Sequence, residues 1–339
     1  MLSAIFGAPH EIHLEQRPRP QPGPGEALVE MRAAGVCAGD IYIYKGSNPY
    51  VSYPRVGGHE IAGVVTALGA DTAGPALGTA VVVEPFIGCG RCYPCRVGKP
   101  NCCANLQIIG VHRDGGFADY VVAPVDRLHP VPAGLSAFEA SFAEPVAIGL
   151  QACRRGTVGS DDTVLVLGAG PIGLAIVEVA RARGAKVYVT DIDPGRLGTA
   201  TDLGGTPLQA GPGLQDEVMR LTGGEGMPVV MEATGNARVM ESTVDLVAAG
   251  GRVVIVGLVP RGVAIAWPGL DLTRKEMTIL GSRASADCFP ESLELIARGA
   301  IRYPQIASAF ALDEAPALFE RLVAPDHPLH KAVFLKEPA

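Results

Sequence analysis

A strand, a glycine-rich turn, a helix and a second strand follow one another between residues 163 and 191. The run TVLVL is apolar and rich in β-branched residues, GAGPIG follows it, and an apolar helical stretch leads to KVYVTD. Gly168, Gly170 and Gly173 stand in the order G-x-G-x-x-G. The first glycine allows a tight turn, the second lets backbone approach a pyrophosphate, and the third lets helix pack close to strand. The stretch therefore predicts a βαβ unit of a Rossmann-type, doubly wound parallel sheet.

An acidic residue, Asp191, ends the second strand of this unit, eighteen residues after Gly173. A carboxylate there hydrogen-bonds the adenosine ribose hydroxyls and repels a 2′-phosphate, which predicts NAD rather than NADP. Arg196 either lies over the adenine or ribose or is a surface charge, and the alternative for the whole segment is a turn that only packs helix on sheet. The residues predicted to contact the cofactor are Gly168, Gly170, Pro171, Ile172, Gly173, Asp191, Arg196 and, beside the nicotinamide half, Val256, Gly257 and Leu258.

Two segments of different character divide the chain. Up to about residue 145, short β-like runs such as EIAGVVTALG are punctuated by Gly and Pro, which favours a compact, mostly β domain. From SFAEPVAIGLQACRRG onward, strand-like runs alternate with helical stretches, which predicts a parallel sheet covered on both faces. The predicted fold class is α/β with two domains, which 339 residues can fill. The pattern leaves open whether the C-terminal residues extend the sheet or return to the first domain.

Charge and hydropathy exclude several classes of function. The formal net charge of −7 supplies no basic field for nucleic acid or anionic lipid. The N-terminal run MLSAIFGAPHEIHLEQRPRP has neither a basic segment nor a long apolar one, and no later stretch stays apolar for about 18 residues. We therefore expect a soluble cytoplasmic protein, in which clustered cysteines are more often metal ligands or redox groups than disulfides.

Five of the eight cysteines lie in one short polar loop, CGRCYPCRVGKPNCC. Four of them are spaced three, three and eight residues apart: Cys89, Cys92, Cys95 and Cys103. Four thiolates from one loop make a closed tetrahedral zinc site, which stabilises the loop and leaves no position for a substrate. A redox dithiol fits less well, because such pairs usually sit at a helix start in a thioredoxin-like βαβ unit. The neighbouring Cys102 could replace Cys103 as a ligand.

Three further segments carry residues that could build a second, open metal site. GVCAGD contains Cys37 and Asp40, GGHEIAG contains His59 and Glu60, and AEPVAIG contains Glu144. A thiolate, an imidazole and a carboxylate would give zinc three protein ligands and leave one position for a substrate oxygen. Each residue also has an ordinary interpretation: Cys37 as a small buried hydrophobe, His59 as a core histidine, and Glu144 as a helix-start carboxylate.

Together, the glycine turn, the cysteine loop and these segments resemble the zinc-containing medium-chain dehydrogenase/reductase family over essentially the whole chain. The second set of segments resembles its sorbitol/threonine dehydrogenase branch, and YKGSNPYVSYPRVGGHE, YPCRVGKPNCC and GVHRDGGFADY are most similar to its sugar-acid (L-galactonate-type) and polyol oxidoreductases. The resemblance implies three segments: a GroES-like, mostly β catalytic domain at 1–145 with a zinc lobe at 88–104, an NAD-binding Rossmann domain at 146–284, and a return to the catalytic domain at 285–339.

The resemblance also implies roles for single residues. Cys103, rather than Cys102, becomes the fourth ligand of a structural zinc. The implied catalytic zinc site consists of Cys37, His59 and Glu144 as ligands, Glu60 as an exchangeable ligand or close neighbour, and Asp40 as the residue that orients His59. The active site is expected in the cleft between the domains, and a homodimer or homotetramer is expected to form through the nucleotide domain.

This chain departs from the family pattern in its proton relay. Relatives commonly read C-G-[ST]-D-x-H, with the hydroxyl and the histidine passing the substrate proton to solvent, whereas this chain has Gly39 and Tyr42. The proton must then leave through water, through Glu60, or through a tyrosine such as Tyr42 or Tyr44. Arg283 stands where relatives place a substrate-contacting arginine, with a structural salt bridge as the alternative.

The function implied by the resemblance is the transfer of hydride from a secondary hydroxyl of a polyol or sugar acid to NAD+, in an enzyme with one catalytic and one structural zinc. A zinc-free reductase of activated double bonds fits poorly, because such relatives lack both the cysteine loop and the Cys/His/Glu set. A catalytically weak or inactive NAD-binding zinc protein, with a sensing or structural role, is the alternative that the missing relay keeps open.

Overall fold

The computed structural model of the chain describes residues 1–324 and 329–336. Contacts divide the chain into two compact units. The first contains residues 1–144, 289–298 and the described part of 304–339, and the second contains 145–288 and 299–303. Within the segment 285–339, for which a return to the first domain is predicted, residues 325–328 and 337–339 lie outside the described residues.

Short strands dominate the first part of the chain, and helices alternate with strands from residue 143 onward. The strands are β1 (Leu2–Ala8), β2 (Glu11–Gln16), β3 (Glu26–Val36), β4 (Arg55–Val56), β5 (Glu60–Leu68), β6 (Ala80–Val83), β7 (Phe86–Ile87), β8 (Gln107–Ile108), β9 (Tyr120–Pro124), β10 (Leu128–Pro130), β11 (Thr163–Leu167), β12 (Lys186–Asp191), β13 (Thr206–Gln209), β14 (Met227–Glu232), β15 (Val247–Ile255), β16 (Thr278–Gly281), β17 (Ala307–Phe310) and β18 (Lys331–Leu335). The α-helices are α1 (Ala38–Tyr44), α2 (Tyr93–Arg96), α3 (Ala137–Ala140), α4 (Ala143–Arg155), α5 (Pro171–Ala182), α6 (Pro194–Asp202), α7 (Leu214–Leu221), α8 (Ala237–Leu246), α9 (Gly269–Lys275), α10 (Phe289–Ala297) and α11 (Ala315–Leu322). None of these helices has the length and apolarity needed to cross a membrane.

The first unit is built on a seven-stranded sheet with β3 at its centre. The strand order is β10-β6-β5-β3-β18-β17, and β9 also pairs with β3. β3 suits this position because its apolar run EALVEMRAAGV is buried along most of its length. The late strand β18 pairs antiparallel with β3, with Val333 opposite Gly35. The chain therefore returns to the first unit near its C-terminus.

Four phenylalanine rings fill the core beside this sheet: Phe6, Phe117, Phe319 and Phe334. The rings of Phe6 and Phe319 meet edge to face at 5.1 Å between centroids, and those of Phe117 and Phe334 do so at 5.0 Å. Edge-to-face pairs of buried aromatic rings stabilise the fold by more than the burial of their apolar surface alone. The cluster joins strands and a helix from both ends of the chain.

The sequence Gly57-Gly58-His59 is shaped by the same rings. A Cβ at Gly57 would lie 2.3 Å from Phe6 Cε2, and one at Gly58 would lie 2.5 Å from Phe117 Cδ1. Gly58 also has φ +88°, which side chains rarely tolerate. Two glycines therefore let the backbone cross the aromatic core before His59 and the start of β5.

The second unit is a six-stranded parallel sheet in the order β13-β12-β11-β14-β15-β16. Its central strands β11 and β14 are almost wholly buried, as expected of strands covered on both faces. The order reverses between β11 and β14, and dinucleotides bind outside the carboxyl ends of strands at such a switch point. The predicted α/β, doubly wound sheet is confirmed.

A buried carboxylate attaches residues 299–303 to the second unit. Glu178 of α5 accepts hydrogen bonds from Arg302 N at 2.7 Å and from Tyr303 N at 2.9 Å. Burial raises the pKa of Glu178, although the two N–H groups oppose the shift. The sequence pattern did not predict this contact, because its partners are more than a hundred residues apart in the sequence.

We predict that Gly58→Ala destabilises the protein more than Gly78→Ala. Both glycines have a positive φ, +88° and +87°, but a Cβ at Gly78 would meet nothing within 4 Å. The control therefore measures the backbone strain of about 1–2 kcal/mol alone, and Gly58→Ala adds an overpacking cost of about 1–3 kcal/mol against Phe117. Urea unfolding of both variants gives the comparison. Equal free energies of unfolding would contradict the role assigned to the aromatic core.

Candidate active site

The cysteine loop brings four thiols into one place. The Sγ atoms of Cys89, Cys92, Cys95 and Cys103 all lie within 4.8 Å of one another. Cys92 Sγ lies 3.4 Å from Cys95 Sγ and 3.7 Å from Cys103 Sγ. Cys103 is buried, whereas Cys102 is exposed and outside the group. The structure thus brings together the four cysteines predicted as ligands of a structural zinc.

The electrostatics of this loop favour a bound cation. Backbone N–H groups of Arg91 and Cys92 lower the pKa of Cys89 to about 6. Desolvation and the neighbouring thiols Cys92 and Cys103 raise the pKa of Cys95 to about 12. Thiolates at this distance repel one another, so all four can ionise together only if a cation offsets their charge. Four sulfur atoms from one loop fit zinc, with no position left for a substrate.

A second cluster joins Cys37, His59 and Glu60, whose ligand atoms also lie within 4.8 Å of one another. Cys37 precedes α1, and His59 immediately precedes β5. The fully buried Asp40 connects the two segments, because it accepts from Cys37 N at 2.9 Å and from Gly58 N at 3.1 Å. A thiol, an imidazole and a carboxylate therefore converge at the edge of the first unit's core.

Asp40 also faces the imidazole. His59 Nδ1 lies 3.6 Å from Asp40 Oδ1, an ion-pair distance rather than a hydrogen bond. Burial by itself lowers the pKa of His59, but the charges of Asp40 and Cys37 outweigh it and hold the pKa well above its usual value. With Nδ1 directed at the carboxylate, Nε2 is the nitrogen available to a metal.

Glu60 forms a buried ion pair that the sequence did not predict. Lys331 Nζ lies 2.5 Å from Glu60 Oε1, and each side chain is only 2% exposed. Glu60 Oε2 has no hydrogen-bond partner within the described part of the chain. A Cβ at Gly35 would lie 1.9 Å from that oxygen, so only glycine lets the carboxylate occupy this place. The available signal was a lysine that opens the apolar strand KAVFL, but its partner is 271 residues away.

Glu144 lies in the first turn of α4 and is 5% exposed. Burial raises the pKa of Glu144 to about 7, with Glu60 adding to the shift and His59 and Lys331 opposing it. Glu144 therefore interacts electrostatically with Glu60, His59 and Lys331. Its carboxylate is not one of the atoms that lie mutually within 4.8 Å, where Glu60 stands instead. The structure thus groups two of the three predicted ligands with Glu60 and leaves Glu144 next to them.

The charges of this cluster fit a divalent cation. Burial lowers the pKa of Lys331, but Glu60, Cys37 and Glu144 outweigh it, and the pKa is raised. Lys331 offsets one carboxylate of a set that also includes Asp40, Glu144 and the thiol of Cys37. Buried negative charge without compensation is costly, and a cation with sulfur, nitrogen and oxygen ligands removes that cost. The donor set therefore fits zinc with an open position.

The residues at the unusual relay positions lie in different surroundings. A Cβ at Gly39 would lie 3.4 Å from His59 Cε1, an ordinary contact, so a serine would fit there. Tyr42 is 56% exposed. Tyr44 is buried against His10 and Phe319, and burial raises its pKa. Tyr44 therefore belongs to the aromatic core, whereas Tyr42 is open to solvent.

A cavity of about 440 Å³ lies at the carboxyl ends of β11 and β12 in the second unit. Of the predicted cofactor residues, Gly168, Gly170, Asp191 and Arg196 line it. Gly173 closes the turn behind it, since a Cβ there would lie 1.9 Å from Gly168 O. The cavity is also lined by residues after β14 that the sequence analysis missed: Thr234, Asn236, Arg238, Val239 and Ser242. They follow the next strand along the sheet, which is the signal that could have found them.

Asp191 shapes this cavity as well as facing it. Its Oδ2 accepts from Ala169 N at 2.8 Å, and its Oδ1 accepts from Asp193 N at 3.0 Å. The carboxylate therefore holds the glycine-rich turn to the end of β12 in a fixed orientation. Each oxygen keeps a second lone pair, which a ribose hydroxyl can use.

The other predicted site residues lie elsewhere in the second unit. Val256, Gly257 and Leu258 form the turn after β15, and Leu258 is 86% exposed. Pro171 and Ile172 form the first turn of α5. Arg283 follows β16 and is exposed. None of these positions is a lining residue of the described cavity.

Both units match families of known proteins. Residues 23–133 match the family model "Alcohol dehydrogenase GroES-like domain", and residues 171–298 match "Zinc-binding dehydrogenase". L-galactonate-5-dehydrogenase of Escherichia coli (strain K12) is 39% identical over 304 residues, which cover 88% of this chain and 87% of that protein. Sorbitol dehydrogenase of Bacillus subtilis (strain 168) is 31% identical over 95% of this chain and 93% of its own. A crystal structure of the alcohol dehydrogenase RspB from Escherichia coli CFT073 with NADH matches with a TM-score of 0.92 at 31% identity, over 99% of both chains.

We predict that Cys103→Ser lowers the zinc content by about one ion per chain and lowers the melting temperature, because a structural zinc site loses one of its four ligands. Cys102→Ser is the matched control, since Cys102 is exposed and outside the thiol group. Metal analysis by mass spectrometry and a thermal melt measure both effects. Loss of zinc from Cys102→Ser, or full retention by Cys103→Ser, would reverse the assignment of the fourth ligand.

Proposed function

The chain belongs to the zinc-binding dehydrogenases with an alcohol dehydrogenase GroES-like domain, the family predicted from its sequence, and from that premise we propose the reaction it carries out. The proposed reaction oxidises a secondary hydroxyl of a polyol or a sugar acid to a ketone, with NAD+ as the hydride acceptor. The observation that carries this proposal is the convergence of Cys37, His59 and Glu60 on one point beside the buried Asp40.

In this proposal, the metal is held by Cys37 Sγ, His59 Nε2 and a carboxylate. Glu60 and Glu144 both supply candidate oxygens, and their electrostatic coupling indicates that they share one environment. A zinc ion bound there would act as a Lewis acid toward the substrate hydroxyl. Asp40 fixes the imidazole orientation, and Lys331 offsets the charge of Glu60. Three protein ligands would leave the fourth position of the zinc open for a substrate oxygen.

The proposed cofactor site is the cavity around the glycine turn. Gly168 and Gly170 let the pyrophosphate approach backbone N–H groups at the start of α5, and Asp191 binds the adenosine ribose. The carboxylate disfavours a 2′-phosphate, so NAD is preferred. Arg196 lies on the wall of the same cavity, where it can cover the adenine or the ribose.

The proposed substrate class draws on two relatives. One is named for a sugar acid, L-galactonate, and the other for a polyol, sorbitol. Both are chains of carbons with several hydroxyl groups, so a site for either must choose one secondary hydroxyl among neighbours. Arg283 is proposed as the residue that binds a substrate carboxylate or hydroxyl, because a guanidinium can bind either group with two hydrogen bonds.

The proton of the substrate hydroxyl must leave the site by a route without the usual serine and histidine. Tyr42 is exposed and can exchange protons with solvent, whereas Tyr44 is buried in the aromatic core. Glu60 belongs to the cluster with Cys37 and His59 and keeps one carboxylate oxygen without a hydrogen bond among the described residues. We propose that the proton passes through Glu60 or water rather than through Tyr44.

The proposed activity is tested by NADH formation over a panel of hexonates, including L-galactonate, and polyols, including sorbitol, with zinc measured in parallel. We expect turnover with at least one member and preference for NAD+ over NADP+.

His59→Ala should lose one zinc per chain and roughly a thousandfold in kcat/KM, because the Lewis acid contributes several kcal/mol. The alternative of an NAD-binding sensor predicts NADH binding, no rate on any substrate, and indifference to loss of the second zinc.

Restoring the relay should change the pH dependence of turnover. In Gly39→Ser/Tyr42→His, an imidazole with a pKa of about 6.5 becomes available to accept the proton. We expect kcat to reach its plateau at lower pH than in the wild type, because proton release no longer depends on water or Glu60. Tyr42→Phe is the control, since it removes the phenol and adds no base. A pH profile unchanged by the double substitution would disprove the weakened relay.

A further inference from the structure

Glu232 ends the central strand β14 with a completely buried carboxylate. Its Oε1 accepts from Thr234 N at 2.7 Å and from Gly235 N at 3.0 Å, and it also accepts from the Thr234 hydroxyl. Three donors on one carboxylate oxygen fold the turn after β14 back over the end of its own strand. Neither the reaction nor the metal centres described above use this carboxylate.

The turn after β15 rests on the same residue. Val256 N and Gly257 N donate to the backbone oxygen of Glu232 at 2.9 and 3.0 Å. Glu232 Oε2 has no hydrogen-bond partner among residues 1–324 and 329–336. A Cβ at Gly257 would lie 2.7 Å from this oxygen and 2.2 Å from Gly235 N. Oε2 therefore lies against Gly257, between the two turns.

The glycine-rich turn also reaches this point. Ala233 N donates to Leu167 O at 2.9 Å, and a Cβ at Gly168 would lie 2.9 Å from Thr234 Cγ2. Thr234 and Gly168 both line the dinucleotide cavity. The turn after β14 is thus held on two sides, by Glu232 and by β11. The turn after β15, in contrast, meets the other two turns mainly through Glu232 and Gly235.

We propose that Glu232 is a positioning residue of the dinucleotide site, whose carboxylate sets the turn Val256–Leu258 at the distance that the nicotinamide half of the cofactor requires. The residue acts through these backbone turns and touches neither substrate nor metal. The inference rests on the proposed function, because it takes residues 256–258 as neighbours of the nicotinamide half. It assigns to Glu232 an effect on one half of the cofactor and not on the other.

The test compares NADH with ADP-ribose, which lacks the nicotinamide. Glu232→Gln keeps an acceptor at Oε1 for Thr234 and Gly235 but can place an NH₂ group where Oε2 packs against Gly257. We expect the Kd of NADH, measured by fluorescence titration, to rise about tenfold and the Kd of ADP-ribose, measured by calorimetry, to change less than about twofold. Glu178→Gln is the matched control, because it changes another buried carboxylate of the same unit that accepts two backbone N–H bonds.

A second variant keeps the test decisive if Glu232→Gln does not fold. Gly257→Ala retains the carboxylate and forces the two turns apart, so it should give the same selective loss of NADH affinity. An unchanged Kd of NADH in folded Glu232→Gln would overturn the inference, as would an equal loss of affinity for NADH and ADP-ribose, whether or not Glu178→Gln reproduces that loss. Wild-type protein that binds neither ligand would instead overturn the proposed cofactor, and this inference with it.

Discussion

The proposed chemistry depends on the buried carboxylate of Asp40. It accepts one backbone hydrogen bond from the segment that carries Cys37 and another from Gly58, immediately before His59. Asp40 Oδ1, which binds Gly58 N, also lies 3.6 Å from His59 Nδ1. One side chain therefore fixes both the position of the His59 backbone and the orientation of its imidazole. Because the carboxylate is fully buried, its interactions are little screened by water. Asp40 is thus the hydrogen-bonded link that holds the segment of Cys37 next to the segment of His59.

Opposite requirements meet around this carboxylate. The aromatic core requires glycine at positions 57 and 58, and the polar cluster of Cys37, His59 and Glu60 begins directly beyond them. The ion pair of Glu60 with Lys331 extends the polar region across β3, where Gly35 leaves room for the carboxylate. Buried ion pairs gain little net stability, so their presence in a core points to a functional need. Lys331 offsets the charge of Glu60 alone, so a bound cation would offset the remaining negative charge of Asp40, Glu144 and Cys37.

The sequence predicts those features whose determinants are local. The glycine turn, its helix and Asp191 lie within thirty residues, and the cysteines of the zinc loop lie within fifteen, so their spacing constrains their geometry, although the choice of Cys103 over Cys102 came from the family resemblance. Lys331 escaped prediction because its partner Glu60 comes from a distant strand, and strand pairing is not encoded in spacing. Glu60, implied by the resemblance to be an exchangeable ligand or close neighbour, is adjacent to His59 in the sequence and lies with Cys37 and His59 in the tightest group. Glu232 was not predicted, because its carboxylate accepts hydrogen bonds from the backbone of a turn, and no motif of ligand-binding residues marks such a contact.

Anomalous diffraction from crystals of the zinc-loaded protein, recorded above and below the zinc absorption edge, tests the central claim most directly. Two zinc peaks per chain are expected: one among the four cysteine sulfurs, and one at about 2.3 Å from Cys37 Sγ and about 2.0–2.1 Å from His59 Nε2 with a carboxylate oxygen beside it. A single peak, confined to the cysteine loop in crystals with ordered Cys37 and His59, would contradict the account and leave the proposed oxidation without its metal.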